Sequence, residues 1–212
     1  METFTNKFHN NHTYIKINDI SKVSSADFDG LVKDRPLQIG VYSNQLDLID
    51  FIKKAGFVLK RKCYEVEVCR EDLKNPLKSS KIEGRLARKG EIYYEKACNL
   101  LYSYYKKTHE PVSPLTASLE EFKKNLPCHV FYYEKDGELI FAAFIENDEI
   151  AYLAGFDLDL VDDFLDSLLE FLFKNHKKIF FESDNTDPLA TRLRDKFEIK
   201  SDLSFDTYIK NK

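Results

Sequence analysis

Apolar positions along this chain follow two rhythms, period two and period near 3.6, and their succession predicts alternating strands and helices. Tyr14–Ile17, YIKI, reads as a short strand. Ser24 or Ser25 can cap a helix reaching Val32, with Asp27 in its first turn. Leu37–Tyr42, LQIGVY, reads as a buried strand. Ser43 or Asn44 then opens a helix with Leu46, Ile49, Phe51 and Ile52 at helical spacing. Gly56 stops it, because glycine accepts the left-handed backbone that ends a helix. From Phe57 to Cys69, Tyr64, Val66 and Val68 alternate with Glu65 and Glu67, the mark of a half-buried strand. The order to this point is β-α-β-α-β.

Residues 70–90 break the rhythm. They are basic and polar, with Pro76, Gly84 and Gly90, and read as a linker or exposed loop with one helical turn around Glu83–Arg88. Beyond them EIYYEKACNLLYSYYKK forms a long amphipathic helix ended by Pro111 and Pro114. Ser118 and Glu121 make a capping box for a short helix. Strands follow at His129–Glu134, Leu139–Ile145 and Glu149–Leu153, joined by turns at Asp136-Gly137 and Asn147-Asp148. A helix over 161–173, a strand at Lys178–Glu182, a helix at Pro188–Phe197 and a closing strand at Leu203–Ile209 complete the chain. Phe171, Phe180 and Phe181 are expected in the core. The division expected is 1–69, a linker at 70–90, and a domain at 91–212 running α-α-β-β-β-α-β-α-β. The first part has the order of the second part's tail, which suggests a partial internal duplication; against it stands the commonness of strand-helix-strand units.

Composition narrows the function classes. The 212 residues carry a net charge of −4 and are 43% hydrophobic, which suits a globular protein and gives no basic footprint for nucleic acid or anionic lipid. METFTNKFHNNHTYIKIND lacks the apolar run of a signal peptide, and no apolar stretch approaches a membrane span, so a cytoplasmic protein is expected. Cys63, Cys69, Cys98 and Cys128 are too scattered for a disulfide framework or a zinc site. The histidines show no ligand spacing, with His9 and His12 expected in a frayed terminus, so no metal is expected. Neither a P-loop nor a G-x-S-x-G elbow occurs.

The element order of 91–212 resembles that of the GNAT superfamily of acetyl-coenzyme A-dependent N-acyltransferases, with 12–69 resembling a partial copy. Asn185 and Phe197 stand at the spacing of the family's N-x-x-A-x-x-L-Y-x-x-L-G-F ending, though Pro188, Arg192 and Lys196 depart from it; Ala55-Gly56-Phe57 matches that ending better. The resemblance implies an α/β (α+β) fold with a mixed sheet flanked by helices. It also implies acetyl-CoA as donor and an amine on a small molecule or protein as acceptor. Cofactor contacts then fall at Leu153, Ala154, Gly155 and Asn185. Acyl transfer needs a base for the amine and an acid for the leaving thiolate, roles to which Glu182 and Tyr152 are assigned; a surface carboxylate and a packing aromatic are the structural alternatives.

One departure bears on function. The family's Q/R-x-x-G-x-G/A turn closes backbone N–H groups on the coenzyme's pyrophosphate. Here the stretch is Gly155-Phe156-Asp157-Leu158-Asp159-Leu160-Val161-Asp162-Asp163, with four aspartates and no second glycine. Such aspartates also serve as caps and as partners of the helix dipole. Two readings stay open: an acetyltransferase whose cofactor takes a displaced route, and a non-catalytic GNAT-like binding module that has lost the coenzyme.

Overall fold

The computed structural model describes residues 1–78 and 81–211. Two compact units divide the chain, and neither is continuous in sequence. One comprises Met1–Tyr64, His109–Ala117 and the segment from Leu203 onward; the other comprises Glu65–Thr108 and Ser118–Asp202.

In the first unit the strands are β1 (Glu2–Asn6), β2 (His9–Lys16), β3 (Leu37–Tyr42), the first half of β4 (Val58–Cys69), and β10 (Ser204–Lys210), ordered β1-β2-β3-β10-β4. Helices α1 (Ser25–Leu31) and α2 (Leu46–Lys54) lie between them in sequence. Ser24 and Asp27 form the capping box that starts α1, and Gly56, at φ +89°, ends the turn after α2. Ile15, Phe28, Leu37, Ile39, Val41, Ile52, Phe57 and Tyr208 build the core, with Phe28 and Phe57 edge to face at 5.1 Å. β2 begins at His9, ahead of the apolar run that announced it, and β1 pairs antiparallel with it.

The terminus expected to fray is thus ordered. His9 and His12 are both buried, and His9 Nδ1 donates to the carbonyl of Ser113 at 2.7 Å. Backbone pairing, not apolar pattern, holds this segment. β10, expected to close the 91–212 domain, instead pairs antiparallel with both β3 and β4 in the first unit. A single cut at 70–90 therefore does not separate the units, since a strand's pattern shows its burial and not which partners it takes.

The second unit orders its strands β4-β9-β8-β7-β6-β5. They are the far half of β4, then β9 (Lys178–Asp184), β8 (Glu149–Gly155), β7 (Glu138–Glu146), β6 (His129–Lys135) and β5 (Arg85–Arg88). Helices α3 (Ile92–His109), α4 (Leu119–Lys123), α5 (Val161–Asn175) and α6 (Pro188–Asp195) flank this mixed sheet. Asp136 and Gly137 take φ of 54° and 82° in the β6–β7 turn, and Asn147 takes 55° between β7 and β8. Tyr94 of α3 meets Phe144 on one face, while Phe141 stacks on Phe164 of α5 at 4.8 Å on the other.

Two expectations need correction here. Arg85–Arg88 is a strand, not a helical turn: Leu86 and Ala87 pair with Phe131 and Val130 of β6, and that pairing overrides the helix preference of Leu, Ala and Arg. Of the three phenylalanines expected in the core, only Phe181 is fully buried, against Phe197; Phe171 and Phe180 are half-buried. Among the described residues, no helix is long and apolar enough to cross a membrane, and no group of three or more potential ligands could hold a metal.

Candidate functional site

β8 is where the sheet changes character. Its ladder with β7 shifts register between Phe144↔Tyr152 and Ile145↔Ile150, which places an extra residue, Ala151, in β8. Such a bulge bends the strand and strengthens its local twist. Just there its parallel pairing with β9 stops: Glu149↔Phe180 and Ile150↔Phe181 are the described pairs. β8 goes on to Gly155 and β9 to Asp184 without each other. The two strands part beyond these pairs, and the gap between their C-terminal ends is the candidate cleft.

The register places the side chains. Tyr152 pairs with Phe144 and so shares the face of α3, where its ring lies 6.4 Å from Tyr105 and 6.2 Å from Phe122 of α4. Phe181 packs on the opposite face, so its neighbour Glu182 shares Tyr152's face. Glu182 is exposed and Tyr152 half-buried. Burial raises the Tyr152 hydroxyl above its ordinary pKa, and the charges of Glu182 and Glu149 raise it further. Glu149 is itself raised, by burial first and then by Glu146 and Asp148. Glu182 thus shares a face with Tyr152 and is near enough for its charge to act on the Tyr152 hydroxyl.

Leu153, half-buried, and Ala154, fully buried, lie on the β8 edge of the cleft. Gly155 has a packing reason: a Cβ there would lie 2.2 Å from Cδ1 of Phe141. Asn185 is exposed in the turn between β9 and α6.

Sequence reasoning missed three neighbours. Asp187 caps α6, accepting from Leu189 N at 2.8 Å and Ala190 N at 3.2 Å. It also accepts from the buried Tyr104 hydroxyl at 2.5 Å. Burial raises the pKa of both groups, and the Asp187 charge adds to the rise at Tyr104. The Asp187-Pro188 dipeptide, a cap followed by proline at the first helical position, was the available signal. The third is Phe156, half-exposed, with Tyr104 edge-on at 5.5 Å and Lys107 Nζ 5.3 Å from its ring centre.

In the turn from β8 into α5, Asp157 and Asp162 have partners. Asp157 Oδ1 accepts the backbone N–H of Asp159 at 3.1 Å and of Leu160 at 3.3 Å. Asp162, in the first turn of α5, pairs with Arg192 at 3.1 Å and Lys196 at 3.5 Å, and Lys196 also binds the buried Asp166 at 2.6 Å. Two of the turn's amides and the two cations beside the first turn of α5 thus already hold carboxylates. Parted strands with free-running edges fit the slender, amide-rich arm of an acyl thioester. Asp157 stands on two N–H groups that a pyrophosphate at this turn would need.

No protein-family model matches the sequence, and no curated protein matches it. Solved structures do match in fold. A GCN5-related N-acetyltransferase from Sphaerobacter thermophilus superposes with a TM-score of 0.55 at 10% identity, over 94% of this chain and 72% of that one. A conserved protein of unknown function from Enterococcus faecalis, described as a probable N-acyltransferase, gives 0.57 at 12% identity, over 98% of this chain but only 56% of its own length. A GNAT-family acetyltransferase from Colwellia psychrerythraea gives 0.52 at 10% identity, over 99% and 80%. The chain therefore has the fold of the GCN5-related N-acetyltransferases. It spans little more than half of the Enterococcus protein.

Proposed function

We propose that this protein is an acyltransferase that moves an acetyl group from the pantetheine thioester of acetyl-coenzyme A to an amine on a small molecule or a protein. The observation that carries this reading is the parting of β8 and β9 beside the bulge at Ala151, with Tyr152 and Glu182 on one face of the opening. Acetyltransferases from Sphaerobacter and Colwellia share the fold and supply the reaction class.

In this reading the thioester lies along Ala151–Gly155. Glu182 takes a proton from the acceptor amine. The amine nitrogen bonds to the thioester carbonyl carbon, the carbon–sulfur bond breaks, and the thiolate leaves with the electron pair. Tyr152, protonated at neutral pH as a phenol is and raised further by burial and nearby carboxylates, gives its proton to that thiolate. Leu153, Ala154 and Gly155 are the donor contacts from β8, and Asn185 is the contact from the β9–α6 turn.

The second reading is a non-catalytic binding module, and the carboxylate-filled turn at Asp157 favours it. Incubation with acetyl-coenzyme A and a panel of primary amines separates the two. Thiol release that depends on the amine supports the enzyme; binding without turnover by any amine supports the module.

A further inference from the structure

We propose that Asp157 is a specificity-determining residue that makes donor recognition independent of the coenzyme's nucleotide, so that a bare pantetheine thioester serves as well as acetyl-coenzyme A. The inference rests on the thioester reading of the cleft and concerns the other end of the donor.

A phosphate at a strand-to-helix turn is held by backbone N–H groups and by the positive end of the helix dipole. Here the N–H groups of Asp159 and Leu160 both point at Asp157 Oδ1, at 3.1 and 3.3 Å. An intramolecular carboxylate, present at very high effective concentration, occupies two of the donors that a phosphate oxygen would need. A phosphate that displaced it would leave a carboxylate anion beside it. The two cations beside the first turn of α5 do not compensate. Arg192 and Lys196, the basic side chains facing the first turn of α5, are committed to Asp162 and Asp166. The glycine that precedes the turn is likewise spoken for, because Gly155 makes room for the Phe141 ring. Specificity here comes from a repulsive element built against one part of a ligand. The pantetheine arm carries no phosphate and meets none of it.

Calorimetry with S-acetylpantetheine and with acetyl-coenzyme A, on the wild type, Asp157→Ala and Asp157→Asn, tests this. The wild type is expected to bind both ligands within about threefold of each other, where tenfold corresponds to about 1.4 kcal/mol. Asp157→Ala frees the two N–H groups and removes the charge, and is expected to tighten acetyl-coenzyme A by about tenfold or more while leaving S-acetylpantetheine unchanged. Asp157→Asn keeps an acceptor oxygen on those N–H groups and is expected to gain less. A wild-type preference for acetyl-coenzyme A of tenfold or more would overturn the inference while leaving the thioester reading intact. If Lys107→Ala removed that preference, the nucleotide would lie against Lys107 and Phe156 instead. Failure of the wild type to bind either ligand would overturn the inference and the thioester reading together.

Discussion

The parted strands and the turn that follows them lie next to each other in sequence, yet they treat a ligand in opposite ways. β8 from Ala151 to Gly155 gives up its pairing with β9 and leaves strand edges available. The next residues satisfy themselves: Asp157 takes two backbone N–H groups, and Asp162 takes two cations. The backbone path of a fold can thus persist while the anion chemistry of one turn is replaced from within. The path is maintained by packing, such as Phe141 against Gly155 and Phe181 against Phe197. Phosphate recognition depends on a few hydrogen-bond donors that a single side chain can claim.

The strongest way to break this comparison is at the cleft. Glu182→Gln, which keeps shape and removes the base, is expected to lower acyl transfer by about 10²–10⁴-fold. Steady-state rates at saturating donor check it; a change below about threefold would mean that Glu182 does not act on the amine. Tyr152→Phe should fall in the same range through loss of the acid.

Support beneath the cleft comes next. Phe181→Ala, at a position 1% exposed, should cost about 3–5 kcal/mol in urea unfolding. Phe180→Ala, half-buried on the opposite face, should cost less than half of that. Equal losses would mean that the face assignment of β9, and with it Glu182, is wrong.

Asp187→Ala removes the α6 cap and leaves the buried Tyr104 hydroxyl without its acceptor. A loss of about 1–2 kcal/mol is expected for the cap, and thermal unfolding measures it. Tyr104→Phe in the Asp187→Ala background should then cost little, because the hydroxyl has already lost its partner.

The last effect belongs to the other compact unit and serves as a control. His9 and His12 titrate near 6.5 when unfolded, and burial lowers both in the folded protein. Arg61 lowers His9 further. Below pH 6.5 the unfolded chain therefore binds more protons than the folded one, and stability falls as pH drops until the folded pKa values are passed. His9→Gln should flatten that fall. If acid instead weakened donor binding before it weakened the fold, the cleft and not the histidines would be the sensitive part.

Much of the fold was legible in the sequence because each helix and most strands carry their own period. The 3.6 rhythm of 92–109 and 161–175 and the Asp136-Gly137 hairpin needed no tertiary information. β1 and the start of β2 were not legible, since ETFTN and HNNHT hold few apolar residues and depend on pairing. The partners of β10 were not legible either, because alternation does not name a neighbour. At the candidate site, Tyr152 and Glu182 were proposed from element order and the family resemblance, but the bulge at Ala151 beside the parting of the strands leaves no mark in composition. The aspartates at 157–163 were visible as charges; that Asp157 turns back on its own backbone while Asp162 reaches across to α6 is set by the folded backbone and has no sequence pattern.

Backbone amide NMR of the wild type during titration with acetyl-coenzyme A tests the central claim most directly. The account predicts shifts along Ala151–Gly155 and around Glu182–Asn185, with Asp159 and Leu160 unmoved because Asp157 still holds their N–H groups. Large shifts at Asp159 and Leu160, with the strand amides silent, would contradict it.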